Sequence, residues 1–316
     1  MGNAKKRSGS VASMLPVLLA CSFTASFGQS MMNVALPELA ERFGVTLSIA
    51  NWVIVGYMVV AATAIMLSAF MLRRLGLRRV FFVGAGALAL GSACALLSQD
   101  FPMLFASRLV QAVGTGLFFP SVTSVIMTNS PAAVRGTRLA LNSGVIAVGL
   151  AISPTASGFA LTQFGWRAMF VVSLAMSVAL LAVGFFRIHG GPSTKRVPID
   201  ALSVMLGPLG LAAFLYGLGE VTRDLAPSLA ALAVGAVLLA LFAWRQFALE
   251  SPLLDLHPLV HPRFAVGILL VMVGMLTSFS MSILLPLYYE GALGYTAFFA
   301  GLLLLGPVLV NAAFTF

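Results

Sequence analysis

The chain has 316 residues, of which 60% are hydrophobic and 9% are charged, and its mean hydropathy is +1.04. Soluble domains of this length do not have this balance, so the composition predicts a polytopic membrane protein. The formal charge of +9 and the pI near 10.4 could indicate nucleic-acid binding, but the placement of the basic residues argues against it. Both cysteines, Cys21 and Cys94, lie inside apolar segments, which predicts no disulfide framework.

Ten apolar segments are long enough, or nearly long enough, to cross a bilayer. Backbone groups in lipid must be hydrogen-bonded internally, and the segments show no strand alternation, which favours helices. The predicted fold class is therefore an all-α polytopic membrane protein. The segments are about 13–36, 49–71, 79–98, 102–128, 139–162, 168–187, 201–219, 227–244, 264–287 and 296–316.

The basic residues indicate how these segments are oriented. If the N-terminus is cytoplasmic, 14 Lys and Arg residues lie on the cytoplasmic side and three lie on the other side. This is the positive-inside pattern, and it supports both the orientation and the number of segments. The start of the chain, with Lys5 to Arg7 and an apolar run to Cys21, also resembles a lipoprotein signal. Because the apolar run continues to Leu36, a spanning helix is favoured.

The fourth segment carries Arg108, with Gln111 one turn further on, while the other long apolar segments have no charge in their interiors. A central arginine costs about 2.5–3.5 kcal/mol on insertion scales, so it marks a functional site facing protein or a water-filled cavity. The alternative is an arginine that snorkels to a helix end. Its position roughly 9 Å inside the segment favours the functional interpretation. Gly114 and Gly116 follow and would let a neighbouring helix approach closely.

The first segment has a polar stripe with helical spacing, which predicts a face directed at a cavity or another helix. Since the first segment runs outward and the fourth runs inward, Gln29 and Ser30 should lie level with Arg108 as candidate hydrogen-bond partners. Tyr57 in the second segment suits the upper part of the same cavity. The stripe consists of Ser22, Ser26, Gln29, Ser30 and Asn33.

Two other stretches have unusual patterns. An arginine-rich stretch at 73–79 contains Gly76, which predicts a tight cytoplasmic turn. In the fifth segment small residues recur every four positions from Gly149 to Ser157, and Pro154 should bend or interrupt the helix. Plain helix packing is the simpler explanation of that small face.

These stretches resemble motifs of the major facilitator superfamily, and more narrowly of its 14-helix drug:proton antiporters. The resemblance covers about residues 13–316. The helix-4 motif of that family contains an arginine linked to proton coupling, which corresponds to Arg108. The matching stretches are Asn33 to Pro37, Arg74 with Gly76 and Arg78, Arg108 with Gln111 and Gly114, and Gly149 to Gly158.

The resemblance implies the major facilitator fold. Residues 1–187 would form an N-terminal six-helix lobe, and 188–263 a cytoplasmic linker with two inserted transmembrane helices. Residues 264–316 would supply the first two helices of an incomplete C-terminal lobe. Four helices of the family pattern are missing from the sequence, which predicts a truncated chain.

The resemblance also implies a secondary transporter rather than an enzyme. The expected activity is proton-coupled export of drugs or other hydrophobic or cationic small molecules by alternating access, driven by the proton gradient without a cofactor or metal. The expected location is the bacterial inner membrane with the N-terminus in the cytoplasm, and the expected partners are the bilayer, the substrates and a periplasmic adaptor protein. The predicted substrate or proton pathway comprises Gln29, Ser30, Asn33, Tyr57, Arg108 and Gln111, and the predicted conformational motifs comprise Arg74, Gly76, Arg78, Gly149, Pro154 and Gly158.

Two departures from the family pattern favour other functions. The family has aspartates where this chain has Gly28 and Arg73, and all nine acidic residues lie in loops or at helix ends. Proton coupling would therefore need Glu290, an acid elsewhere or a different mechanism. The alternatives are a transporter of another solute, or a truncated or degenerate member that does not transport.

Overall fold

The computed structural model describes residues 2–188, 200–221, 224–249, 252–291 and 293–294. The predicted segment at 296–316 lies outside the described residues. The chain forms two compact units, Met1–Arg245 and Gln246–Phe316.

Within the described residues every regular element is helical, which confirms the all-α class. Seven of the helices, α3 to α9, are long and apolar enough to cross a membrane by length and composition. The first and last helices contain shorter apolar stretches, Met14–Ser30 and Pro262–Thr277. The elements are α1 (Gly2–Ser30), α2 (Leu36–Phe43), α3 (Leu47–Leu75), α4 (Leu77–Leu96), α5 (Phe101–Asn129), α6 (Ala132–Phe164), α7 (Arg167–Arg187), α8 (Ala201–Glu220), α9 (Leu225–Ala248), a 3₁₀ turn (His257–Val260) and α10 (Pro262–Gly291).

The end of the first predicted segment is wrong. Helix α1 stops at Ser30, and a turn leads into the separate short helix α2. Pro37 lies in the first turn of α2, where a missing N–H costs nothing and the fixed φ suits a helix start. Helix α2 buries Leu39 and exposes Arg42, so it packs on α3 as a surface helix. It ends at Gly44, whose φ of +63° reverses the chain.

Helix α5 lies at the centre of the first unit and packs against α1, α3, α4 and α6. A Cβ built on Gly114 would lie 2.5 Å from the backbone oxygen of Gly84 in α4. A Cβ on Gly116 would overlap the backbone oxygen of Ala61 in α3. Backbone therefore meets backbone on both sides of α5, and the predicted close approach at these two glycines is confirmed.

The small face of α6 packs against α1. The Ser153 hydroxyl donates to the Phe27 carbonyl oxygen at 2.7 Å, and Gly149 lies directly against the Ser26 side chain. Helix α6 continues through Pro154 without a break, so the predicted interruption does not occur. Packing accounts for this part of the small face, as the simpler explanation predicted.

The turn between α3 and α4 consists of Gly76 alone. Its φ of +80° lies in the region that favours glycine, as the sequence predicted for a tight turn. Arginines flank the turn on both sides and lie over phenylalanine rings. Arg74 is 5.8 Å from the centre of the Phe70 ring, and Arg78 is 6.0 Å from the Phe82 ring.

Helices α8 and α9 form a pair. A Cβ on Gly217 would lie 2.7 Å from the Ser228 carbonyl oxygen, so the two helices approach closely near their connection. At the other end the Arg245 guanidinium makes two hydrogen bonds to the Asp200 carboxylate, of 2.7 and 2.9 Å. This fork geometry holds the pKa of Asp200 well below its usual range. Helix α8 also packs on α3, which attaches the pair to the helices around α5.

Candidate functional site

The candidate site is built around Arg108, whose side chain is completely buried. Its Nη1 donates to the Gly28 carbonyl oxygen of α1 at 3.1 Å and to Gln111 Oε1 at 2.7 Å. Because α5 is central, an arginine seven residues after the first residue of that helix, about 10 Å along it, reaches neighbouring helices rather than lipid. The snorkelling alternative does not describe a side chain with no exposed surface.

A chain of hydrogen bonds leads from Gln111 across two further helices. Its Nε2 donates to the Ser92 hydroxyl of α4 at 2.8 Å. Ser92 in turn lies 3.0 Å from the Ser173 hydroxyl of α7. The amide thus has the guanidinium on its oxygen side and a hydroxyl on its nitrogen side, which fixes its orientation. The arginine is connected to α1, α4 and α7 through polar contacts.

Tyr57 of α3 completes the surroundings of the arginine. The guanidinium carbon of Arg108 lies 4.1 Å from the centre of the tyrosine ring, within range of a cation–π contact. The Tyr57 hydroxyl is 2.6 Å from the Thr115 hydroxyl of α5, so the ring is held from its polar end. Both Arg108 and Tyr57 are buried, and this desolvation strengthens the contact between them.

The described residues supply acceptors for only part of the N–H groups of the Arg108 guanidinium. Its Nε and Nη2 atoms are buried and have no hydrogen-bond partner within the part of the chain that the structure describes. The partners present there are a carbonyl, an amide and an aromatic ring, and none is a carboxylate. A positive group with two nitrogen atoms, and thus three N–H donors, to spare is chemically suited to hold an oxygen atom of a substrate, of water or of a residue that moves in another conformation.

The predicted partners on α1 do not bond the arginine through their side chains. The backbone of Gly28, the residue before Gln29, supplies the acceptor instead. Gln29 is half-buried, Ser30 is buried, and Asn33 is exposed in the turn that follows α1. The helix ends before Asn33, so the last member of the predicted stripe is not on its face.

Three hydroxyl residues of the site were not predicted. Ser92, Thr115 and Ser173 orient the side chains around Arg108. Their signal in the sequence was weak because serine and threonine are common in membrane helices, where their hydroxyls can bond the carbonyl one turn back. Ser92 does this as well, since its hydroxyl donates to the Leu88 carbonyl at 2.7 Å. Among the described residues, no group of three His, Cys, Asp or Glu side chains could hold a metal ion.

A buried arginine at the centre of packed apolar helices is typical of a membrane transporter. The family model of the Major Facilitator Superfamily matches residues 18–316. The chain therefore belongs to the Major Facilitator Superfamily, a family of transporters, which are generally not enzymes, and it is a multi-pass membrane protein.

Several curated bacterial proteins are similar to the chain. The lincomycin resistance protein LmrB of Bacillus subtilis is 32% identical over 94% of this chain and 63% of its own length. The uncharacterized MFS-type transporter YhcA of Bacillus subtilis is 30% identical over 94% of this chain and 57% of its own length. The multidrug export protein EmrB of Escherichia coli is 27% identical over 92% of this chain and 57% of its own length. The chain thus spans about 60% of the length of these relatives.

Solved structures agree on the fold. The proton:xylose symporter XylE, described as a major facilitator superfamily protein, has a TM-score of 0.61 at 16% identity, covering 98% of this chain and 68% of that chain. The POT family transporter PepTSo has a TM-score of 0.53 at 16% identity, covering 72% of this chain and 51% of that chain. At this identity the likeness shows the fold alone.

Proposed function

We propose that this protein is part of a secondary transporter that exports small hydrophobic or cationic compounds across the bacterial inner membrane by alternating access. The buried arginine is the single observation that carries the proposal. Arg108 contacts α1, α3 and α5 and keeps two guanidinium nitrogen atoms without described partners. A charge costs energy at this depth, so its retention is better explained by transport than by stability.

The relatives support the direction of transport. Proteins named for lincomycin resistance, methylenomycin A resistance and multidrug export are among those similar to the chain. Removal of the compound from the cytoplasm is the simplest way for a transporter to confer resistance. In this proposal residues 1–187 form the N-terminal lobe, 188–263 the linker with its inserted helix pair, and 264–316 the beginning of the second lobe.

In the proposed mechanism Arg108 is the fixed charge of the transport path. Gln111 and Tyr57 position the guanidinium, and Gln29, Ser30 and Asn33 line the route on the side of α1. The motifs at Arg74 to Arg78 and at Gly149 to Gly158 lie where helices must slide past each other during alternating access. Small residues and a single-residue turn suit such sliding, because few side chains have to change conformation when the helices move. The N-terminus lies in the cytoplasm, and a periplasmic adaptor protein extends the path.

The proposed energy source is the proton gradient. Across α1 and α3 to α9 the sequence has one acidic residue, Glu220 at the last position of α8, and no histidine. A proton carrier at the middle of the bilayer must therefore come from another part of the transporter. Arg108 would influence the proton affinity of such a carrier by its charge.

Dye efflux tests the proposal. Drug-sensitive cells expressing the gene should accumulate less ethidium than cells with an empty vector, and an uncoupler should remove the difference. Arg108→Gln should lower the efflux rate by roughly tenfold or more, since a hydrogen bond to a charged group contributes about 1.5–3 kcal/mol. Arg42→Gln, which removes an exposed arginine from α2, is the matched control and should leave efflux unchanged.

Membrane levels of both variants must be compared by immunoblot. Normal efflux by Arg108→Gln at equal protein level would refute the role of the arginine. If cells with and without the gene accumulate hydrophobic and cationic dyes to the same level, export is refuted. Accumulation that increases on expression would favour the alternative, a transporter that takes up another solute.

A further inference from the structure

A cavity lies away from Arg108, between the start of α3 and the connection of α8 with α9. Its volume is about 370 Å³, which falls within the range of small-molecule sites, roughly 300–1,000 Å³. All the residues that line it belong to the first unit. They are Ser48, Ile49, Trp52, Tyr216, Glu220, Asp224, Pro227 and Ser228.

One wall of the cavity is aromatic. The rings of Trp52 and Tyr216 are stacked, with centroids 5.7 Å apart and planes 27° from parallel. The stack joins α3 to α8, so the inserted helix pair supplies half of this wall. Aromatic faces carry negative quadrupole potential and attract organic cations, with tryptophan the strongest of them.

The lining is also acidic. Its described residues include the carboxylates of Glu220 and Asp224, and no lysine, arginine or histidine. Glu220 Oε1 accepts a hydrogen bond from the Ser48 hydroxyl at 2.6 Å, which positions this carboxylate at the cavity. Arg223, in the same connection, lies outside the described residues. Two carboxylates beside an aromatic stack favour a ligand that carries positive charge.

A buried hydroxyl gives independent evidence of a ligand. Ser228 also lines the cavity, its side chain is fully buried, and its Oγ has no hydrogen-bond partner among the described residues. Buried hydroxyl groups normally have a partner, and one without a partner calls for an explanation. The Oγ atom can accept a hydrogen bond from a ligand N–H group, as the carboxylates can.

We propose that this cavity binds the ammonium group of an organic amine. The aromatic stack holds the cation by its π faces, the two carboxylates neutralise it, and Ser228 accepts one N–H. The same ammonium group can come from a dissolved amine or from the headgroup of an aminophospholipid. The proposal concerns binding and is independent of transport and of the role of Arg108.

Binding of benzylamine to the purified chain in detergent tests the proposal, with benzyl alcohol as the uncharged analogue. Calorimetric titration should detect benzylamine and give at least tenfold weaker binding of the alcohol. Asp224→Asn should lower the affinity for benzylamine several-fold, and the double variant with Glu220→Gln should lower it about tenfold or more. Glu41→Gln, which changes an exposed acid in α2, is the control and should leave the affinity unchanged. Equal affinity for amine and alcohol would overturn the proposal.

Two variants separate the effect of charge from an effect on folding. Asp224 is exposed in a connection, so Asp224→Asn should keep the helical circular dichroism of the parent, and unchanged amine affinity in this folded variant would count against the site. Arg223→Gln should bind benzylamine at least as tightly as the parent, because it removes a cation from the same connection. Weaker binding by Arg223→Gln would contradict the electrostatic argument.

The lipid source is distinguished in nanodiscs. If phosphatidylethanolamine added to phosphatidylglycerol discs weakens benzylamine binding, the headgroup occupies the cavity. If it has no effect, the site serves dissolved amines. Both results support an ammonium site, and absence of benzylamine binding in discs of phosphatidylglycerol alone would refute it.

Discussion

The contact between α5 and α3 at Gly116 allows a sharp prediction. A Cβ at this position would overlap the Ala61 backbone oxygen and lie 2.6 Å from Ala64 Cβ. An ordinary separation is roughly 3.5 Å, so Gly116→Ala requires α3 to retreat by about 1 Å. Because the nearest atom belongs to the backbone, no side chain can rotate away to relieve the overlap.

The magnitude follows from a matched variant. Gly86 lies in α4, and a Cβ there would meet nothing within 4 Å. Gly86→Ala should therefore raise the free energy of unfolding by about 1 kcal/mol through its higher helix propensity. Gly116→Ala has the same gain in propensity but also loses about 1–3 kcal/mol through overpacking. We expect the midpoint temperature of unfolding to be roughly 2–8 °C lower for Gly116→Ala than for Gly86→Ala.

The assay is thermal unfolding of both variants in the same detergent, followed by circular dichroism. Displacement of α3 at Ala61 should also disturb Tyr57, one turn earlier, and its contact with Thr115, so Gly116→Ala should transport more slowly at equal protein level. Equal midpoints for the two variants would refute the reasoning, because they would mean that α3 and α5 are not in backbone contact.

Two other perturbations test the contacts described above. Asp200→Asn should destabilise the α8–α9 pair by about 1 kcal/mol, with a non-additive double-mutant cycle against Arg245→Gln. Because the pKa of Asp200 is lowered in the folded protein, this contribution is complete above the ordinary aspartate pKa of about 4 and declines as the pH falls from there through the lowered pKa. The difference in unfolding midpoint between the parent and the Asn variant should therefore be largest at pH 7 and smaller at pH 3. Tyr57→Phe keeps the ring over Arg108 but removes the hydrogen bond to Thr115. We therefore expect chemical unfolding to show a stability loss of about 1 kcal/mol, and a similar loss for the reciprocal variant Thr115→Val. Unchanged stability in both variants would argue against that hydrogen bond.

The helices were predictable because each depends on a local property of the sequence. The spans from α3 to α9 begin and end within a few residues of the predicted bounds, except that α6 starts earlier, at Ala132. The turn at Gly76 was also local, since glycine alone readily takes a positive φ. The amphipathic helix α2 was missed because it is short and its apolar start continues the run of α1, so hydropathy alone did not separate the two.

The candidate site was predictable only in its centre. Arg108 and Gln111 stand out because charge and amide groups are costly in apolar segments. Their partners could not be predicted, because contacts between distant segments depend on helix rotation and tilt. Counting residues placed Gln29 and Ser30 at the depth of the arginine, whereas the acceptor on α1 is the backbone oxygen of Gly28, which has no side-chain signal.

The sequence by itself determined that this is a multi-pass helical membrane protein of the major facilitator type with one arginine inside an apolar segment, because hydropathy, length and motif spacing are properties of contiguous residues. Only the tertiary structure decided which groups meet across helices. The packing of α3 and α4 against the glycines of α5 brings Tyr57 over Arg108 and Ser92 to Gln111. The docking of α8 on α3 places Trp52 beside Tyr216 in the acidic cavity. These contacts join residues far apart in the chain, and their geometry arises from the close packing of whole helices.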